Sequence, residues 1–145
     1  MTFTKDESTV EQIEGHLAEC NTLFEPALSS HVTIPEYARK IATRATRFEA
    51  WQDGILVGLV ACYYNDFATG KGFITSVSVV KKLQGAGIAR RLVADAVNFG
   101  ISARFKTIAL EVQARNSRAV ALYSANGFKA LASKDGKVTM ERFLH

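Results

Sequence analysis

The feature that most constrains the fold is a strand, a glycine loop and a helix that follow one another in the middle of the chain. Polar and apolar residues alternate from Phe73 to Val80, which predicts a strand with two different faces. Ile88, Leu92 and Ala96 recur at the spacing of one helix face, which predicts an amphipathic helix that ends near Ile101. The apolar stripe of this helix must pack on the sheet, so the chain belongs to the mixed α/β class.

The loop between this strand and this helix contains Gly85 and Gly87. Because glycine lacks a β-carbon, the backbone there can adopt positive φ and allow a ligand close to its amides. The first N–H groups of the following helix have no intrahelical acceptor, and the helix dipole favours negative charge at that end. Four cations flank the loop, namely Lys81, Lys82, Arg90 and Arg91. The loop therefore predicts a phosphate site.

Other interpretations of the glycine loop must be weighed against this one. A Gly-x-Gly between a strand and a helix is also common in a simple tight turn. A dinucleotide-binding loop needs glycine or alanine where Arg90 stands, although Glu111 lies at a suitable distance for a ribose carboxylate. A P-loop is excluded because no Gly-Lys-Ser/Thr sequence follows. The tight turn and the dinucleotide site stay open at this point.

Helices precede this central stretch, and strands lie on either side of it. Two pairs with capping-box spacing, Ser8 with Glu11 and Thr33 with Glu36, predict helix starts in the first third of the chain. The other predicted elements are helices at about Thr9–Phe24, Ile34–Thr46 and Asn116–Asn126, and strands at Arg47–Trp51, Ile55–Tyr64, Lys106–Val112, Phe128–Ala132 and Lys137–Phe143.

Two Asp-Gly pairs, Asp53-Gly54 and Asp135-Gly136, predict hairpin turns between neighbouring strands. Residues Thr2–Thr4 could add a short first strand. The helix after the glycine loop must connect two parallel strands, because it carries the chain back across the sheet. The prediction is one domain, residues 1–145, with a mixed sheet that is antiparallel at first and has a parallel crossover in its middle.

Composition narrows the class of protein. The 145 residues are 48% hydrophobic and 22% charged, which is typical of one globular domain. The net charge of +4 is scattered, which argues against nucleic acid binding and favours a small anionic ligand. The longest apolar stretch, Ile55–Tyr64, is too short to cross a bilayer, so we expect a cytoplasmic protein without membrane contact. Cys20 and Cys62 lack metal or disulfide spacing, and we expect both thiols to be buried.

Two motifs in order resemble the GNAT superfamily of acetyltransferases. Gln84, Gly87 and Ala89 match its acetyl-CoA signature Q/R-x-x-G-x-G/A. The second motif consists of Leu110-Glu111-Val112, Arg115-Asn116, Ala119, Leu122-Tyr123 and Asn126-Gly127-Phe128. The resemblance covers about Arg47–Phe128. It departs from the family at Lys81, where proline is frequent, and at Ala89, where the signature allows alanine in place of glycine.

The resemblance implies a twisted, mostly antiparallel sheet of six to seven strands with about four helices on its faces. It also implies direct transfer of an acetyl group from acetyl-CoA, as co-substrate and without a metal, to a primary amine. The residues implied to bind acetyl-CoA are Val77 and Val79 through the backbone, Gln84, Gly85, Ala86, Gly87, Ile88 and Ala89 through loop amides, and Asn116 and Tyr123 on the opposite wall.

The same resemblance implies catalytic roles for Tyr123 and Glu111. Tyr123 would face the thioester sulfur and protonate it, while an amide near Val79 would polarise the carbonyl. Glu111 would accept the proton of the amine. Two structural alternatives stay open: Tyr123 as a core aromatic, and Glu111 paired with Arg115 or Lys106. Proton release to water is a third, in which no base is needed.

The acceptor amine is not encoded in a recognisable motif. Five residues lie in segments that would line its pocket, namely His31, Glu36, Tyr63, Asn65 and Asp66. An amino sugar, a protein amino terminus and a polyamine all stay open as acceptors, as does a homodimer as the assembly. Three competing functions stay open. The first is transfer of another short acyl group, and the second is a catalytically silent domain that binds coenzyme A as a sensor or assembly partner. The third is a structural protein without either ligand.

Overall fold

The computed structural model describes residues 1–145 and arranges them as seven strands and four α-helices. In chain order these are β1 (Thr2–Lys5), α1 (Val10–Glu19), α2 (Ile34–Arg44), β2 (Thr46–Gln52), β3 (Ile55–Asp66), β4 (Lys71–Val79), α3 (Ile88–Ser102), β5 (Thr107–Gln113), α4 (Ser117–Ala125), β6 (Lys129–Lys134) and β7 (Lys137–Phe143). Short 3₁₀ turns lie at Asn21–Leu23, Leu28–Ser30 and Lys81–Leu83. No helix is long and apolar enough to span a membrane.

All seven strands join one sheet in the order β1-β2-β3-β4-β5-β7-β6. Every neighbouring pair is antiparallel except β4 and β5, which are parallel and connected by α3. The mixed sheet and its central parallel crossover confirm the predicted fold, and β1 supplies the short first strand. The turn residues Asp53, Gly54, Asp135 and Gly136 all have positive φ, as a two-residue hairpin turn requires.

The sheet separates two apolar clusters, because alternate residues of each strand point to opposite faces. The larger, here called the α3 cluster, lies under α3 and α4 and includes Val60, Val79, Leu92, Leu110, Val112 and Tyr123. The smaller, here called the α1–α2 cluster, includes Ile13, Leu17, Ala38, Ile41, Leu59 and Ala61. Cys20 and Cys62 are both fully buried free thiols, as expected, and burial raises the pKa of Cys20 to about 11.

The starts of the first two helices differ from the predicted caps. Thr9, not Ser8, caps α1, and it forms a capping box with Gln12. Thr33 does occupy the cap position of α2, but its side chain makes no capping hydrogen bond. Helix α1 also ends at Glu19, and the five residues predicted to continue it form a 3₁₀ turn and its flanks instead.

Ser8 is drawn away from the helix by Glu49, a fully buried carboxylate on β2. The Glu49 carboxylate accepts hydrogen bonds from the backbone N–H groups of Glu7 and Ser8, at 2.9 and 2.8 Å, and from the hydroxyls of Ser8 and Thr4. Arg47 lies 3.5 Å from it through Nε. Such a charge is tolerated in the interior only because every oxygen is paired, so this network fixes the chain between β1 and α1.

Candidate functional site

Strands β4 and β5 pair over three residues only and then separate. The pairs are Lys71 with Thr107, Gly72 with Ile108 and Phe73 with Ala109. Beyond them β4 continues to Val79 and β5 to Gln113 without further pairing between the two strands. The sheet therefore opens into a wedge, here called the β4–β5 gap. Its walls carry main-chain hydrogen-bonding groups that no strand satisfies.

The backbone of Val77 and Val79 faces this gap. The N–H of Val80 donates to the carbonyl of Val57 on β3 at 2.9 Å, so the groups of Val80 point away from β5. Because N–H and C=O groups alternate in direction along a strand, those of Val79 and Val77 point toward β5. The side chain of Gln84 also reaches this wall, where its Nε2 donates to the Val79 carbonyl at 3.3 Å.

The glycine loop closes the wide end of the gap. Gly85 and Gly87 have φ values of +86° and +83°, a left-handed conformation that residues with a side chain rarely adopt. Gly87 is the N-cap of α3, and no side chain caps this helix. Ile88 is buried beneath the loop, whereas Ala86 is exposed. The loop thus presents uncapped amides at the positive end of a 15-residue helix, the geometry that binds phosphate.

The cations around the loop are only partly those that the sequence indicated. Arg91 turns away, since its guanidinium lies 4.0 Å from the centre of the Phe3 ring and pairs with Asp95. Arg118 on α4 comes near instead: a β-carbon placed on Gly85 would lie 3.7 Å from Arg118 Nη2. The remaining predicted cations, Lys81, Lys82 and Arg90, are exposed. Sequence reasoning missed Arg118, which was only one of several scattered basic residues before α4 was placed.

Helix α4 provides the other wall on the α3 side of the sheet. Asn116 caps it, with Oδ1 accepting from the N–H of Ala119 at 3.2 Å, and its Nδ2 takes no part in the cap. Tyr123 is 8% exposed, belongs to the α3 cluster and makes an edge contact with Phe128. Burial raises the pKa of Tyr123 to about 12, so the phenol is protonated at neutral pH.

Glu111 lies on the opposite face of the sheet from Tyr123. Its strand neighbours Leu110 and Val112 point into the α3 cluster, so Glu111 points to the α1–α2 face, where it is exposed. The pairing of Glu111 with Arg115 that the sequence left open does not form, because Arg115 pairs with Glu25. Glu111 and Tyr123 therefore approach the gap from its two faces.

Hydroxyl groups gather on the α1–α2 face beside the gap. The Tyr37 hydroxyl donates to the Thr75 carbonyl at 2.9 Å and lies 2.7 Å from Thr75 Oγ1. The hydroxyls of Tyr63 and Ser76 are buried there without a hydrogen-bond partner. Thr75 is the residue of β4 that bulges out of the pairing with β3. On the β4 side of the gap this face is lined by hydroxyl groups, whereas Glu111 lies on its β5 side.

Two of the other residues expected near the acceptor have local structural roles. Asn65 donates to the carbonyl of Arg44 at 2.9 Å. The Thr69 side chain, together with the Thr69 N–H that donates to Asp66 at 3.1 Å, lowers the pKa of the Asp66 carboxyl group. His31 and Glu36 are exposed. Of the five residues expected near the acceptor, only Tyr63 is among those whose hydroxyls lie beside the gap.

Two surface hollows lie elsewhere, and Arg91 is the one residue of the predicted phosphate site that lines either of them. One, of about 350 Å³, lies between β1, β2 and α3, and its lining includes Phe3, Phe48 and Phe99. The other, of about 360 Å³, lies on β6 and β7. The gap is the candidate site instead, because it joins unpaired main chain, an uncapped helix start and a buried phenol.

Comparison with known proteins identifies the family of this fold. The sequence model of the Acetyltransferase (GNAT) family matches residues 10–128. A search of curated proteins found no significant match.

Similar solved structures share the fold at low identity. A ribosomal-protein-alanine N-acetyltransferase from Brucella melitensis is 19% identical, covers 99% of both chains and has a TM-score of 0.78. The PaiA N-acetyltransferase from Thermoplasma acidophilum in complex with coenzyme A is 15% identical, also covers 99% of both, and has a TM-score of 0.75. A chimera of the spermidine N-acetyltransferase SpeG from Vibrio cholerae is 17% identical over 99% of this chain and 96% of that one, with a TM-score of 0.78.

Proposed function

The chain belongs to the GNAT acetyltransferase family, and on that basis we propose that it transfers an acetyl group from acetyl-CoA directly to a primary amine. The acceptor that we propose is a small molecule such as an amino sugar, or a protein amino terminus. The observation that carries the proposal is the β4–β5 gap, whose pairing stops after Phe73 and Ala109. An extended ligand can pair with such an edge in the manner of an added strand.

The residues present fit coenzyme A along the whole gap. The backbone groups of Val77 and Val79 face the gap, so they would hold the amides of the pantetheine arm. Asn116 retains its Nδ2 as a donor from the α4 wall. The amides from Gln84 to Ala89 would bind the pyrophosphate at the start of α3. Arg118, beside Gly85, adds a cation for a phosphate oxygen.

Acetyl transfer forms a C–N bond to the amine and breaks the C–S bond of the thioester. An N–H of β4, from Val77 or Val79, would donate to the carbonyl oxygen while negative charge develops there. Tyr123 would give its phenolic proton to the departing sulfur and recover one from water. The burial that raises the pKa of Tyr123 would also raise that of a thiol beside it, because burial disfavours either anion. The phenol therefore remains a usable acid.

The amine must lose a proton as the C–N bond forms. Glu111 is exposed on the α1–α2 face, from which an amine would approach, and it carries no cation partner. It would accept that proton through water, and release directly to water would serve if the amine arrives neutral. The hydroxyls of Tyr37, Tyr63 and Thr75 beside the gap suit a hydrogen-bonding acceptor better than a polycation.

The direct test measures thiol release from acetyl-CoA with a panel of amines: amino sugars, peptides with free amino termini, and spermidine. We expect release with at least one acceptor from the first two groups and little with spermidine. Calorimetry with acetyl-CoA runs in parallel. Binding without thiol release from any acceptor would instead favour the sensor function, and absence of binding would refute the transferase.

A further inference from the structure

The segment between α1 and the 3₁₀ turn at Leu28–Ser30 crosses the β4–β5 gap on its α1–α2 face. At one end Cys20 Sγ lies 3.8 Å from His16 Nε2, and the same nitrogen lies 2.9 Å from Ser78 Oγ on β4. At the other end Glu25 pairs with Arg115, which follows β5. The segment therefore runs from one wall of the gap to the other.

Phe24 occupies the middle of this crossing. Its side chain packs against both the α3 cluster and the α1–α2 cluster. Cys20, at the start of this segment, is itself a member of the α3 cluster. Phe24 lies between the two anchors of the segment, one on β4 and one after β5, so its ring lies over the gap on the face opposite α4.

The segment that carries the ring is held in place at both sides. His16 Nδ1 lies 3.0 Å from the carbonyl of Leu56, which only accepts, so Nδ1 donates and Nε2 accepts from the Ser78 hydroxyl. Asn21 closes the loop by accepting from the N–H of Ser29 at 2.7 Å and donating to its hydroxyl at 2.9 Å. A loop fixed in this way presents a firm wall rather than an adaptable one.

We propose that Phe24 is the wall of the acyl pocket and restricts the transferred group to acetyl. This inference rests on the proposed function, since it assumes that the pantetheine arm lies in the gap. The backbone of β4 and the α4 residues fix the arm from two directions, and the acyl end then meets the ring. Each further methylene of a longer acyl chain needs volume that the ring occupies, and one methylene in a tight apolar pocket changes affinity by about tenfold or more.

The experiment compares the binding of free CoA, acetyl-CoA and butyryl-CoA by calorimetry, which needs no knowledge of the acceptor. For the natural protein we expect acetyl-CoA to bind at least about tenfold more tightly than butyryl-CoA. In Phe24→Ala this ratio falls to about threefold or less, and Phe24→Leu gives a value between the two. Leu23→Ala is the matched control, because Leu23 is the preceding residue and is 39% exposed. In Leu23→Ala the ratio of the affinities for acetyl-CoA and butyryl-CoA should equal that of the natural protein.

The outcomes separate the inference from the function beneath it. A protein that binds neither CoA nor acetyl-CoA refutes both. Equal ratios in the natural protein, Phe24→Ala and Phe24→Leu, with CoA still bound, refute the acyl wall alone. Thermal unfolding of each variant shows whether the fold is kept, and the leucine variant decides the question if the alanine variant does not fold. A lowered ratio in Leu23→Ala as well would also contradict the inference, because a general loosening of the loop would then explain it.

Discussion

Removal of the Tyr123 hydroxyl should make the protein more resistant to alkali. In the folded chain burial raises the pKa of Tyr123 from 10.0 to about 12. Between these two values the unfolded chain loses the phenolic proton and the folded chain keeps it. The folded state then binds more protons than the unfolded state, so its free energy of unfolding falls as pH rises. Tyr123→Phe has no phenolic proton to lose, so its free energy of unfolding lacks this fall with pH.

The size of the effect follows from the shift in pKa. One pKa unit corresponds to about 1.4 kcal/mol, so the natural protein should lose about 1.4 kcal/mol relative to Tyr123→Phe by pH 11, and about 2.3 kcal/mol by pH 12, where the folded phenol is itself half ionised. Below about pH 9 the difference between the two proteins should not change with pH, because the phenol is then protonated in both states. Urea unfolding at pH 8, 9, 10 and 11, followed by circular dichroism, measures both free energies. Effects of all other titrating groups cancel in the difference.

Parallel curves for the two proteins up to pH 11 would show that the phenol titrates as in water and is not buried against the α3 cluster. The same variant should slow acetyl transfer about a hundredfold, which is the lower range for a lost general acid. Its affinity for CoA should stay within about twofold of the natural value, because the aromatic ring remains. Unchanged transfer would remove Tyr123 from the mechanism while leaving the stability argument intact.

Three further predictions concern the supports of the site. Gly87→Ala should destabilise the fold by about 1–2 kcal/mol and weaken CoA binding because its φ is +83°, whereas Gly15→Ala, in open space within α1, should be neutral or stabilising in the same urea assay. Arg118→Ala should weaken CoA binding about tenfold by calorimetry while Arg91→Ala does not, and equal losses would contradict the placement of these cations. Glu49→Gln should cost about 3 kcal/mol of unfolding free energy because Arg47 keeps its buried charge, and a loss below about 1 kcal/mol would refute the pairing.

The sequence was most informative where structure is set locally. The alternation of β4, the apolar stripe of α3 and the Asp-Gly turns each depend on neighbouring residues, and all appear where the patterns predicted them. The positive φ values of Gly85 and Gly87 also agree with the reason given for glycine there. The mixed sheet followed from these pieces and from the handedness of crossovers.

The predictions from sequence were wrong where a residue distant along the chain determines the position of a side chain. Ser8 has a suitable side chain for a helix cap, but the buried Glu49, 41 positions away, takes it, so Thr9 becomes the cap. Arg91 stands beside the glycine loop in sequence, yet the rotation of α3 directs it to Phe3. Neither partner can be inferred from spacing along the chain.

The crossing segment was hidden for a similar reason. Phe24 looked like the last residue of a helix, because nothing near it in sequence indicates that α1 stops at Glu19. Its two anchors, Ser78 and Arg115, lie on opposite walls of the gap and far from Phe24 in sequence. Long-range packing of this kind overrides local helix propensity.

The wall that β4 gives to the gap consists of main chain, and this affects which substitutions it tolerates. Exchanging Val77 or Val79 for another residue changes a side chain but leaves the amide and carbonyl that face the opening. Substitutions therefore remove such a recognition surface only if they disrupt the strand itself. Two proteins that are 15% and 19% identical to this chain share its fold, with TM-scores of 0.75 and 0.78. A recognition surface made of main chain can therefore keep its geometry while the sequence around it changes.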